Sequence, residues 1–82
     1  MADSRVLGYL HNMNLSVELE QEEDGRWIAD VPALPGVMAY GKTANEALSK
    51  AKALALRVLA ERLEEGEASA GLSSVTFGMA AS

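Results

Sequence analysis

Residues 27–47 read WIADVPALPGVMAYGKTANEA, and they set the order in which the chain extends, turns and coils. Trp27, Ala29 and Val31 alternate with Ile28 and Asp30, the period-two pattern of a half-buried strand. Pro32 ends that strand, because proline cannot donate to a ladder and restricts the residue before it. Leu34-Pro35-Gly36-Val37 has the chemistry of a type II turn. Proline presets φ at its second position, and glycine accepts the positive φ at its third. Val37 to Gly41 then forms a short third strand, and Gly41-Lys42 leads out of it. Thr43-Ala44-Asn45-Glu46 is a capping box: the threonine oxygen can accept from the Glu46 amide, while the Glu46 carboxylate can return to the Thr43 amide.

Downstream, alanine, leucine, lysine, arginine and glutamate dominate to Glu65, all strong helix formers. Ala47, Leu48, Ala51, Leu54, Ala55, Val58, Leu59 and Leu63 recur at helical spacing, with Arg62 at the margin, and make one apolar stripe. Gly66 is suited to the position just past the helix. A helix of about 22 residues would be about 33 Å long. That exceeds what three short strands can cover, so its C-terminal surplus is expected to meet something else, such as another subunit. Residues 67–74 read as a loop, and 74–79 as a fourth strand with Val75 and Phe77 on one face. Upstream, Leu15, Val17 and Leu19 alternate with Ser16, Glu18 and Glu20, a first strand over 14–21. Glu22 to Gly25 closes a hairpin to the second strand at 26–31. Residues 4–12 could add one or two helical turns, with Val6, Leu7 and Leu10 on one side, or remain a frayed tail. The expectation is a single α+β domain over 1–82, with its core at about 14–79 and an N-terminal segment at 1–13. Its order is (α)-β-β-β-α-β, a small antiparallel sheet with one long helix packed on it.

Eighty-two residues allow one domain, and 49% apolar with 23% charged residues excludes a mostly disordered chain. Of roughly 40 apolar residues, 14 are alanine, so the core is thin. A core this thin in so small a chain points to a homo-oligomer, dimer or tetramer. The net charge of −5 disfavours direct nucleic-acid binding and suits a basic protein partner. No cysteine is present, which removes disulfides, thiolate zinc sites and cysteine nucleophiles. No apolar run approaches the roughly 20 residues that span a bilayer, and no secretory h-region precedes the first strand. A cytoplasmic protein with no membrane contact is expected.

Catalytic chemistry is sparse. His11 is the sole histidine and has no partner nearby in sequence, and no metal site or cofactor is expected. Gly36 and Gly41 belong to no phosphate-binding loop. The basic residues are spread out and not interleaved with aromatics, so no nucleic-acid surface is indicated. Glu61, Glu64, Glu65 and Glu67 crowd the helix end against its dipole, a penalty that a basic partner would relieve. Glu18, Glu20 and Asp30 fall on the outer face of adjacent strands together with Ile28, Met38 and Tyr40. A sheet face that mixes acids with apolar side chains is the candidate partner-binding surface. Clustered acids also serve metal-dependent nucleases, so a ribonuclease-like relic using Glu18, Glu20 or Asp30 is one alternative. A homo-oligomeric scaffold is another.

The stretch from Trp27 to Ala47 resembles the HicB-like antitoxin signature. That signature runs aromatic-x-Ala-x-Val-Pro-x-Leu-Pro-Gly-Val, then Ala-x-Gly-x-Thr-x-x-Glu-Ala. Trp27, Pro32, Pro35, Gly36, Gly41, Thr43 and Glu46 carry the match, which extends over roughly residues 15–67 and into the Glu-Glu-Gly-Glu run at 64–67. Where the family often has aspartate, this chain has Ala33. The resemblance implies a partial ribonuclease-H-like fold and a non-enzymatic role: binding and occluding a small basic RNA-cleaving toxin of the HicA type. Many such proteins also carry a C-terminal DNA-binding segment. The stretch after Gly66 is too short for one, so operator binding is not expected of this chain. No intact acidic catalytic set of the ribonuclease H kind is present.

Overall fold

A computed structural model of the protein describes residues 11–66 and 72–79. Strands β1 (His11–Gln21), β2 (Trp27–Asp30) and β3 (Met38–Gly41) precede helix α1 (Ala44–Glu64), and β4 (Leu72–Met79) follows it. They make one four-stranded sheet of order β3-β2-β1-β4 with α1 on one face. The α+β architecture read from the sequence is therefore correct. No described helix is long and apolar enough to cross a membrane.

Two features differ from expectation. The sheet is mixed: β1 pairs with β2 and β2 with β3 antiparallel, but β4 lies parallel to β1. Two antiparallel steps leave β3 pointing the same way as β1. A helix that then runs back along the sheet returns the chain to the end where β3 began, so the next strand points as β3 does. Crossover through a helix thus dictates a parallel β4. The second difference is the length of β1. It begins at His11, so the end of the segment read as helical turns is strand, and the rest of that segment (4–10) lies outside the described residues.

β1 serves two neighbours in succession. Glu18 to Gln21 pair with β2, whereas His11 to Val17 pair with β4. Asparagine is a poor strand former, but the β4 partner gives Asn12 and Asn14 a use. Ser74 Oγ donates to Asn12 Oδ1 at 2.7 Å, and Thr76 Oγ1 donates to Asn14 Oδ1. At about 3.3 Å per residue the eleven-residue β1 is about 36 Å long. The 21-residue α1, at about 31 Å, matches it. The helix is therefore not overlong for its sheet, and helix length gives no argument for a second subunit.

Local chemistry fixes the turns as read. Gly25 and Gly36 hold φ of 92° and 86° at the hairpin loop and the Pro-Gly turn. The turn closes with Val37 N–H donating to the Leu34 carbonyl at 3.0 Å. Thr43 caps α1 by accepting from the Glu46 amide at 3.0 Å. The Glu46 carboxylate reaches one residue further back than the capping-box reading, to the Lys42 amide at 3.0 Å.

The core lies between α1 and the inner sheet face. Leu15, Val17, Ala29, Val31, Leu34 and Val37 meet Ala47, Ala51, Ala55 and Leu59, all buried. Six of these ten are larger than alanine, which bears out the thin core. The alanines are placed where they matter. α1 lies closest to β3 and β2 and less close to β1. Small residues at Ala47, Ala51 and Ala55 allow that approach, and Leu59 is the larger buried side chain further along.

Candidate functional site

Strand parity positions the candidate face. Inner residues of β1 and β2 are odd-numbered, so Glu18, Glu20, Ile28 and Asp30 must point the other way, and β3 in register adds Met38 and Tyr40. The pairing brings the six into two rows. Glu18 stands opposite Asp30, which stands opposite Met38; Glu20 stands opposite Ile28, which stands opposite Tyr40. Glu18 and Glu20 are exposed, Ile28 and Asp30 half-buried, and Met38 and Tyr40 are 45% and 42% exposed. All six residues assigned from the sequence thus share one continuous surface, which no described element covers.

The electrostatics of that surface are lopsided. Like charges directly opposite on neighbouring strands repel, and Glu18 and Asp30 are such a pair. Neither they nor Glu20 forms an ion pair with a described residue. Arg26, just before β2, is engaged elsewhere. Its Nε donates to Asp24 Oδ2 at 2.8 Å, and its guanidinium carbon lies 4.7 Å from the centre of the Tyr40 ring. Hydrogen bonding from the Arg26 amide, then the guanidinium itself, holds the Asp24 carboxyl below the usual range. The acids of the face are left uncompensated beside exposed apolar side chains. Among the described residues no group of three or more His, Asp or Glu is gathered so as to hold a metal ion.

Beyond β1 the same face changes character. Asn12, Asn14 and Ser16 lie beside Ser74, Thr76 and Gly78 and make an uncharged polar half. Apart from Ser16, which alternates with the inner residues, sequence reasoning did not assign these residues or Arg26 to the surface. The signal was present in the even-numbered alternation running back through Asn14 and Asn12, but its partner strand lies some 60 residues away. The remaining motif residues are structural. Trp27 packs at the core edge, Pro32, Pro35 and Gly36 shape exposed turns, and Thr43 and Glu46 cap α1. Gly41 is buried: a Cβ there would fall 2.4 Å from the Ala47 nitrogen. At the α1 N-terminus the Lys42 amide donates to Glu46 Oε1 and the Glu46 amide to Thr43 Oγ1.

UPF0150 protein Ta0767 of Thermoplasma acidophilum is 42% identical over 53 residues, covering 65% of this chain and 75% of that protein. No family profile matches the chain, and no solved structure matches it.

Proposed function

The chain belongs to the UPF0150 family, and from that premise we propose that it is a HicB-like protein that neutralises a small basic RNA-cleaving toxin of the HicA type by occlusion. The observation that carries this reading is the bare outer sheet face, where the uncompensated Glu18–Asp30 pair adjoins Ile28, Met38 and Tyr40. The repulsion between those carboxylates is a cost in the free protein. Lysines or arginines brought by a partner would relieve it while the apolar neighbours lose contact with water. The net charge of −5 would speed the encounter with a basic protein. The resemblance of Trp27 to Ala47 to the HicB-like signature supports the reading, and a cytoplasmic site of action goes with an RNA-cleaving target. In this reading the protein performs no chemistry; it covers the toxin's active site.

The test is cleavage of labelled RNA by a HicA-like ribonuclease from the same genome, with increasing amounts of the protein. Cleavage is expected to stop near one equivalent, and Glu18→Lys with Asp30→Lys is expected to restore it. Undiminished cleavage at a large excess of the wild type would overturn the proposal. Full inhibition by the charge-reversed variant would remove the outer face from it.

A further inference from the structure

The candidate face ends at β3, an edge of the sheet with no described strand beyond it. In an antiparallel ladder, residue pairs that exchange backbone hydrogen bonds alternate with pairs whose backbone groups point away from each other. Val31 N–H donates to the Val37 carbonyl at 2.9 Å. The register of β2 and β3 carries that parity on to Ala29 with Ala39 and to Trp27 with Gly41. The N–H and C=O groups of Met38 and Tyr40 therefore point away from β2, to the open side. Their side chains, 45% and 42% exposed, stand on the outer face beside Asp30 and Ile28. Edge strands are usually blunted by charge, proline or brevity. Met38–Gly41 holds no charged residue and no proline, so only its brevity protects it.

The charges behind this edge are of one sign. Asp30 lies one strand in, beside Met38, and Glu18 lies one strand further. Neither forms an ion pair with a described residue. At about 4.8 Å per strand, Asp30 is about 10 Å from the axis of a strand laid beyond β3. A lysine or arginine on the outer side of such a strand spans that distance across Met38, and its stem covers the exposed apolar side chain.

We propose that the basic toxin docks by adding an extended segment to β3. Its backbone bonds to Met38 and Tyr40, and alternate side chains lie over the outer face, a lysine or arginine among them reaching Asp30. The inference rests on the toxin-binding reading above and states how that face engages its partner. Charge selects the occupant. An acidic segment would add to the repulsion in the Glu18–Asp30 row, whereas a basic one relieves it. Main-chain bonds then supply affinity and the alternating side chains supply specificity.

Amide hydrogen exchange, read by NMR on the whole chain, tests the proposal with and without the HicA-like ribonuclease from the same genome. In the free protein the Met38 and Tyr40 amides are expected to exchange fast and the Ala39 amide slowly. In the complex the first two are expected to slow by roughly tenfold or more. Tyr40→Pro removes an outward N–H and no hydrogen bond of the sheet, so it is expected to keep the wild-type far-UV circular dichroism. It is expected to bind the ribonuclease at least roughly tenfold more weakly than Tyr40→Ala, which keeps that N–H. A complex that blocks cleavage while both amides stay fast overturns strand addition and leaves toxin binding standing. Equal affinities for folded Tyr40→Pro and Tyr40→Ala overturn it as well. A ribonuclease that does not bind the wild type overturns both readings.

Discussion

Gly41 hands the chain from β3 to α1, and the reason it is glycine lies in distance. Its φ is not in the left-handed region, yet an added Cβ would meet backbone atoms of Glu46 and Ala47 within 3 Å. Backbone cannot yield as a flexible side chain can, so Gly41→Ala is expected to cost about 1–3 kcal/mol, as overpacking does. A lowered midpoint in denaturant with unchanged slope would show it. The sequence marks Gly41 as a residue leading out of a strand and as part of the Trp27–Ala47 motif; the approach of the helix is tertiary and leaves no local sign. Glu46 differs, because its capping role is written in the spacing from Thr43. The Lys42 amide, then the Lys50 ammonium, hold its carboxyl below the usual range. A carboxyl with a lowered folded-state pKa adds stability above its unfolded-state value and loses it as pH falls through the folded-state value. Glu46→Gln is therefore expected to flatten the acid limb of a plot of Tm against pH. An acid limb as steep as that of wild type would contradict this.

α1 shows how one element can be legible in outline and misread in purpose. Its start, length and apolar stripe follow from the capping box and helical spacing. Its relation to the sheet does not, because that depends on β1 reaching back to His11 and on β4 joining it in parallel. Both facts rest on contacts between residues some 60 positions apart, which no local periodicity records. Within the helix, Ala51 and Leu59 are both buried in the core, the first a small side chain and the second a large one. Leu59→Ala should leave a cavity and cost about 2–5 kcal/mol. Ala51→Leu should also destabilise, by about 1–3 kcal/mol, although it adds apolar volume. Denaturant unfolding separates the two. Stabilisation by Ala51→Leu would show that the helix is not held close to the sheet there.

At the scale of the whole molecule, one thin layer of core separates two surfaces of opposite chemistry. The outer sheet face concentrates uncompensated acids beside Ile28, Met38 and Tyr40, whereas the α1–β4 side shows apolar side chains without acids. The six residues of the first surface were readable because strand parity alone sorts them onto one face. The placing of the α1–β4 side was not, because β4 lies beside β1 only through pairing between residues distant in sequence.

The most direct test of partner binding is the association rate with a HicA-like toxin, measured by stopped flow at low and high salt. Electrostatic steering predicts a fast rate for the wild type that falls steeply as salt screens the acidic face. Glu18→Lys with Asp30→Lys should associate at least roughly tenfold more slowly and lose most of the salt dependence. Equal rates and equal salt dependence for the two proteins would contradict the assignment of the outer face.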